Sequence, residues 1–190
     1  MSLALAFGSM KTFTLAVLAA AMMLAGAPAA AVPVLDRIKA RGKIVVAHRE
    51  SSVQFSYLDA DRKAIGYAVE LCGRVAEAVR KSLQLKALPI EYLLVTPGDR
   101  IAAVAEGRAD LVVGKFLTIE PLAIMLPKDD AAFKLVVDDE MKRLIATREA
   151  HAIFERWFMR PIPPKNTVLN LPMNYLLKDF WKYPTDQVPG

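Results

Sequence analysis

The chain has 190 residues, of which 54% are hydrophobic and 24% are charged, a composition typical of a globular protein and not of a disordered one. Its formal net charge is +5, and its lysines and arginines form no runs, which argues against a nucleic-acid partner. Cys72 is the only cysteine, so an internal disulfide and a thiolate metal cluster are both excluded. We expect this thiol to be buried and inert.

Residues 1–31 have the pattern of a leader followed by a secretory signal peptide. Lys11 precedes an apolar run at 15–24, and small residues follow at 29–31. The run is shorter than the stretch of about 20 apolar residues that spans a bilayer. We therefore expect export and cleavage within 29–31, with an uncleaved anchor as the alternative. The mature chain, 32–190, is long enough for one core.

The next part of the chain alternates between helical and strand patterns. The predicted elements are a short helix at 35–41 ended by Gly42, a strand at 43–48, a helix at 68–83, a strand at 89–95, a helix ended by Gly107 and a strand at 109–113. Strands that alternate with helices form a parallel sheet with helices on its faces. We therefore expect an α/β fold.

The pattern changes after Gly114. Residues 116–126 are predicted to be extended, and helices are predicted at 131–146 and 148–158. The acidic segment 128–130 and Thr147 are the expected N-terminal caps of these helices. The tail to residue 190 is rich in proline, asparagine and aromatic residues, so we expect it to lie along the surface.

Motifs for catalysis are missing from the sequence. His48 and His151 are the only histidines and are far apart, so we interpret them as a strand-end and a helix-surface residue. The sequence has no Gly-x-Ser-x-Gly elbow, no phosphate-binding loop, no dinucleotide fingerprint and no metal motif. We therefore predict no enzymatic activity, no catalytic residues, no cofactor and no metal.

Polar residues follow the predicted strands at 48–52, 96–99 and 114–115. In open α/β sheets, ligands bind beyond the carboxyl ends of the strands. The first segment combines Arg49 with Ser51 and Ser52.

A guanidinium binds a carboxylate through two parallel hydrogen bonds, and hydroxyls add adaptable donors. Arg49, Ser51 and Ser52 are therefore the candidate site for a small anionic or zwitterionic ligand. In the alternative interpretation, Arg49 pairs with Glu50 or Asp99 and only fixes the loop.

Several blocks resemble, in their order, the family-three solute-binding proteins of ABC importers, and more narrowly the glutamate/aspartate-binding members. They are LDRI at 35–38, KIVV at 43–46, HRESSVQFSY at 48–57, GYAVELC at 66–72, TPGDRI at 96–101, EGRADL at 106–111, EPLAIMLPKDD at 120–130, WF at 157–158 and PIPPKN at 161–166. The resemblance implies a type II periplasmic-binding-protein fold, in which two lobes close on an amino acid and present it to a membrane permease. It also implies a periplasmic location.

The resemblance further implies that one lobe is missing. In the family, the segment that matches 106–111 continues into a Ser/Thr-rich stretch and an arginine that hold the ligand's head group, and the second lobe follows. Here it runs directly into 112–115, which resembles the return from that lobe. Segments 32–111 and 112–190 would then form a single lobe, with roughly a hundred residues absent. Arg49 corresponds to the residue that meets the ligand's side-chain carboxylate, with Ser51 and Ser52 as neighbours.

A single lobe leaves this site open to water, so we expect an acidic amino acid to bind weakly or not at all. Apolar surface at the missing interface is expected to promote self-association. Two alternatives stay open. One is a one-lobe scaffold that contacts the permease or another partner without a ligand, and the other is an enzyme resembling cyclohexadienyl dehydratase.

Overall fold

The computed structural model describes residues 32–114 and 123–184, and from Pro33 onward they belong to one compact unit. In chain order, its elements are α1 (Val34–Arg41), β1 (Ile44–His48), β2 (Ser51–Ser52), β3 (Ser56–Leu58), β4 (Ala64–Ile65), α2 (Tyr67–Ser82), β5 (Ile90–Leu94), α3 (Arg100–Ala105), β6 (Leu111–Gly114), β7 (Ala123–Met125), α4 (Ala131–Ala146), α5 (Glu149–Phe158) and α6 (Tyr175–Phe180). The leader and signal peptide predicted at 1–31 lie outside the described residues. Within the two described ranges, no helix is long and apolar enough to cross a membrane.

A four-stranded sheet forms the centre of this unit, with the strand order β5-β1-β6-β7. β1 pairs in parallel with β5 along its whole length, from Ile44 opposite Ile90 to His48 opposite Leu94. β6 is also parallel to β1, whereas β7 runs antiparallel to β6. The predicted mostly parallel sheet is therefore confirmed, with β7 as the single antiparallel strand in it.

Both faces of this sheet are covered by helices. Side chains alternate along a strand, so Ile44 and Val46 of β1 pack into a cluster with residues of α1, α2 and α4. Val45 and Ala47 point to the other face, where they pack with residues of α3. The predicted α/β fold is confirmed, and its continuous apolar strand β1 is buried from both sides, as is usual in parallel sheets.

A smaller antiparallel sheet, with the order β2-β3-β4, stands beside the main one. It shares an aromatic cluster with α2 and α5, which includes Tyr57, Tyr67, Phe154 and Trp157. Its strands have only two or three residues. Strands this short contain too few residues for a period-two pattern, so the sequence pattern does not indicate them.

The helix ends follow the sequence in three of four cases, one of which is Gly107, which follows the end of α3 at φ 73°. Gly42 ends α1 in the left-handed conformation, at φ 65°, and the Asp130 side chain caps α4 by accepting a hydrogen bond from the Phe133 N–H at 2.9 Å. The prediction that Thr147 caps the next helix is wrong. Arg148 holds that position at φ 63°, while the Thr147 hydroxyl donates to the Arg143 carbonyl of α4. Helix α6, in the tail, was not predicted.

Candidate functional site

Arg49 lies at the carboxyl edge of the main sheet, directly after the central strand β1. β1 lies between β5 and β6. After β1 the chain forms β5 on one side of it, and it then crosses to form β6 on the other side. In such sheets a crevice opens where the connections diverge, and this is where ligands bind. The topology therefore places Arg49 at the switch point between β1 and β6.

The backbone of Arg49 is fixed by a buried hydroxyl. Ser56 Oγ accepts a hydrogen bond from the Arg49 N–H at 3.1 Å and donates one to the Arg49 carbonyl at 2.9 Å. The imidazole of His48 approaches the same carbonyl, with Nδ1 at 3.3 Å. Burial lowers the pKa of His48, although this contact and the charge of Glu50 oppose the shift. His48 is therefore neutral at pH 7.

The guanidinium of Arg49, in contrast, has no hydrogen-bond or ion-pair partner among residues 32–114 and 123–184. The alternative in which Arg49 pairs with Asp99 does not occur, because Asp99 binds Arg108 through two bonds of 2.7 and 3.1 Å. Those bonds lower the pKa of Asp99. Glu50 is exposed and forms no ion pair with Arg49 within these ranges. Arg49 is half-buried, and no residue within 32–114 or 123–184 neutralises its charge.

Ser51 and Ser52 form strand β2 and follow Arg49 in the chain. Their backbones pair with Tyr57 and Ser56 of β3. The Ser52 side chain is half-buried, and the Ser52 carbonyl accepts a hydrogen bond from the Phe55 N–H at 2.9 Å. This pairing fixes the backbone of Ser52, which lies three residues after Arg49 in the chain.

The loop after β2 is tied to the start of α2. The N–H groups of Tyr67 and Ala68 donate to the carbonyls of Gln54 and Phe55, at 2.8 and 2.9 Å. Gly66 precedes them at φ 132°, and a Cβ there would lie 2.4 Å from the Phe55 carbonyl oxygen. Only glycine allows this close approach between the start of α2 and the backbone of Phe55 and Ser56.

Other residues at this edge were missed by the sequence analysis. Arg100 is the first residue of α3, which starts just beyond β5. It directly follows the polar segment 96–99, which was the available signal. Val53, Leu94 and Ile101 expose 55%, 48% and 55% of their surface here, and they give the polar site an apolar surround.

A shallow groove of about 420 Å³ runs along α2 but offers no comparable open charge. Its residue Glu70 accepts hydrogen bonds from Arg156 and from the indole N–H of Trp157, the latter at 2.8 Å. Glu77 binds Arg80 through bonds of 2.8 and 2.7 Å. In the part of the chain that the structure describes, no group of three or more histidine, cysteine, aspartate or glutamate residues could hold a metal ion.

The sequence of this chain is similar to those of known solute-binding proteins. Residues 44–121 match the model of the bacterial extracellular solute-binding proteins, family 3. The glutamate/aspartate import solute-binding protein of Escherichia coli K12 is 23% identical to this chain over 275 aligned positions, which cover 85% of this chain and 91% of that protein. Together these matches support a relationship to the solute-binding proteins at the level of the family.

Two solved structures support the fold. One is the P235GK mutant of ArgBP from T. maritima, 10% identical, which covers 65% of this chain and 98% of its own at a TM-score of 0.52. The other is an amino acid ABC transporter substrate-binding protein from Streptococcus pneumoniae bound to L-arginine, 12% identical, with coverage of 66% and 98% and the same TM-score. The chain has the fold of a periplasmic-binding-protein domain.

Proposed function

We propose that this chain is the substrate-binding component of an ABC importer for an acidic amino acid, such as glutamate or aspartate, and that it retains one lobe and binds its ligand weakly. The observation that carries the proposal is the guanidinium of Arg49, open at the carboxyl edge beside the central strand. A side-chain carboxylate is complementary to it. The name of the relative from Escherichia coli, which imports glutamate and aspartate, supports this class of ligand.

Two observations support the single lobe, with 32–111 and 112–190 as its two parts. The alignment with that relative runs over 275 positions, more than the 190 residues of this chain, so the relative has stretches without a counterpart here. β6 is followed by β7, which returns antiparallel beside it in the same sheet. The sequence between these two strands, 115–122, is far shorter than a domain of about 50 residues or more.

The expected affinity follows from the open site. Solute-binding pockets cover most of the ligand surface, whereas a ligand on Arg49 would stay in contact with water. An exposed ion pair contributes about 0–1 kcal/mol. Dissociation constants for glutamate and aspartate should therefore lie in the millimolar range or above.

Titration with L-glutamate and L-aspartate, followed by calorimetry and by amide chemical shifts, tests both parts of the proposal. We expect weak shifts at 49–56 in the wild type that disappear in Arg49→Ala and persist in Arg160→Ala, the matched control at an exposed arginine after α5. Micromolar affinity for either ligand would overturn the weak binding. Identical titrations of the wild type and Arg49→Ala would overturn the assignment of Arg49.

The family relationship also supports export to the periplasm through the N-terminal segment and delivery to a permease. Mass spectrometry of the exported protein should find a new N-terminus after one of residues 29–31. Capture of the permease by the purified chain, with and without glutamate, separates ligand delivery from a scaffold role. Prephenate and arogenate should not be dehydrated by the chain, in contrast to an enzyme resembling cyclohexadienyl dehydratase.

The apolar side chains at the same edge support self-association of the chain. Val53, Leu94 and Ile101 come from three different segments and surround the carboxyl ends of the strands. Light scattering should show a mass that rises with concentration, and Leu94→Ser together with Ile101→Ser should reduce it. A strictly monomeric wild type at high concentration would contradict this expectation.

A further inference from the structure

The main-chain groups of Arg49 are satisfied in an unusual way. The ladder between β1 and β5 ends with the bond from the Val95 N–H to the His48 carbonyl, at 2.9 Å. Arg49 is the next residue and has no strand partner. Its N–H and its carbonyl instead both bond to one atom, Ser56 Oγ, at 3.1 and 2.9 Å.

Ser56 is well placed to hold these groups rigidly. Its exposed fraction is 4%, so water is excluded from the hydroxyl and both bonds form in a medium of low dielectric constant. Its backbone is fixed in turn, because Ser56 pairs with Ser52 in the small sheet. The contact of the His48 ring with the Arg49 carbonyl, at 3.3 Å, adds a second restraint on the same peptide.

We propose that Ser56 is a positioning residue for ligand binding: its hydroxyl fixes the Arg49 backbone, so that the open guanidinium meets a carboxylate without losing further backbone freedom. This inference rests on the proposed function of Arg49 as the ligand anchor. Ser56 itself is buried behind the loop and does not contact the ligand. A site that is ordered before binding avoids part of the entropic cost of association.

The neighbouring residue provides a matched control. Tyr57 lies next to Ser56 in β3 and is equally buried, and its hydroxyl donates a single hydrogen bond to the Pro163 carbonyl at 2.6 Å. Tyr57→Phe therefore removes a buried hydroxyl bond from the same strand without touching Arg49. A purely structural role for Ser56 predicts the same behaviour for Ser56→Ala and Tyr57→Phe.

The experiment measures amide hydrogen exchange and binding of L-glutamate, by chemical shift, in the wild type and four variants: Ser56→Ala, Ser56→Thr, Tyr57→Phe and Arg49→Ala. We expect Ser56→Ala to speed exchange at the Arg49 amide by about 2–10-fold, the range that corresponds to one net hydrogen bond. Binding should weaken by up to about fivefold, toward the level of Arg49→Ala. Ser56→Thr keeps the hydroxyl and should restore both values, and Tyr57→Phe should change neither.

The two proposals fail in different ways. If Arg49→Ala weakens binding but Ser56→Ala does not, or if the Arg49 amide exchanges at the wild-type rate in Ser56→Ala, Ser56 is not a positioning residue. If the wild type and Arg49→Ala titrate identically, the proposed function fails, and the exchange rate alone decides whether Ser56 fixes the loop. Should Ser56→Ala not fold, Ser56→Cys, with its weaker donor, replaces it in the same comparison.

Discussion

The parallel strands of the main sheet begin at one end of the sheet, here called the amino edge, and finish at the other, the carboxyl edge. Both ends carry arginines, but these have different partners. At the amino edge, Asp110 is fully buried and binds Arg37 at 3.0 Å, Arg41 at 2.6 Å and the Val45 N–H at 2.8 Å. At the carboxyl edge, only the backbone of Arg49 is held, and its guanidinium has no partner within residues 32–114 and 123–184. The amino edge fastens α1 to the sheet, and at the carboxyl edge we propose that the Arg49 guanidinium meets a ligand.

The difference shows where stability and function are separated in this fold. A buried carboxylate between two guanidiniums becomes costly when one partner is removed, so the amino edge tolerates little change. The guanidinium of Arg49 has no partner among the described residues, so its removal should cost little stability and act mainly on the proposed binding. The predictions below test this separation, beginning with the largest effect.

Asp110→Asn should destabilise the protein by about 3–5 kcal/mol, because it leaves two guanidiniums, only 23% and 27% exposed, without their counter-charge. Urea unfolding followed by circular dichroism measures this loss. Asp99→Asn is the matched control at the other edge, since it breaks the exposed pair with Arg108. A loss in Asp110→Asn no larger than that of the control would remove the distinction between the edges.

Gly107→Ala should cost about 1–2 kcal/mol at the amino edge. Gly107 has φ 73°, and a Cβ there would lie 3.2 Å from Arg37 Nη1, so backbone strain and displacement of the Asp110 partner add together. Gly98→Ala, before α3 at the carboxyl edge, has nothing within 4 Å of the new Cβ and should stay within about 0.5 kcal/mol of the wild type. Equal losses in the two variants would contradict the expectation.

The sequence predicted the amino edge poorly and the sheet well. The apolar runs that became β1, β5 and β6 are long enough to read as strands, and the Gly42 stop was correct. The network around Asp110 joins residues about seventy positions apart, and no local pattern indicates such a contact. In the sequence, Asp110 belongs to the predicted strand at 109–113 and to the block 106–111, and neither indicates its partners.

Only part of the candidate site could be predicted, because some of its contacts also join segments that no local pattern connects. Arg49, Ser51 and Ser52 follow one strand, so their position at the carboxyl edge could be inferred from topology. The role of Ser56 could not, because its bonds to Arg49 depend on a turn of the small antiparallel sheet. The absence of a pair between Arg49 and Asp99 likewise depends on Arg108, which reaches Asp99 from beyond α3.

The buried His48 gives the carboxyl edge a dependence on pH. Because its pKa in the folded protein is lower than its ordinary value of 6.5, the unfolded chain takes up a proton first as the pH falls. Stability should therefore decrease as the pH is lowered through about 6.5 and level off below the pKa of the folded state. Urea unfolding between pH 7.5 and 5.5 should show a shallower decrease in His48→Gln.

His151 is a second histidine that should contribute to this slope. Its pKa is also lowered, by partial burial and by Arg148, so His151→Gln should reduce the slope as well and the double variant should reduce it further. Aspartates and glutamates ordinarily titrate below this pH range, so the slope reports mainly the two histidines. An unchanged slope in His48→Gln would mean that His48 has the same pKa in both states.

The smallest effect on stability is expected from Arg49→Ala, and it gives the sharpest comparison of the two edges when set beside Arg41→Ala. Arg41 donates bonds of 2.6 and 2.7 Å to Asp110, and hydrogen bonds between charged groups contribute about 1.5–3 kcal/mol. Arg49 has no such partner, so its replacement should leave the unfolding free energy within about 0.5 kcal/mol of the wild type. Both variants lose the same side chain and the same charge, and urea unfolding measures both. Because both variants make the same substitution, a difference between their unfolding free energies reports what each guanidinium contacts. If Arg49→Ala loses as much stability as Arg41→Ala, the guanidinium at the carboxyl edge also has a structural role.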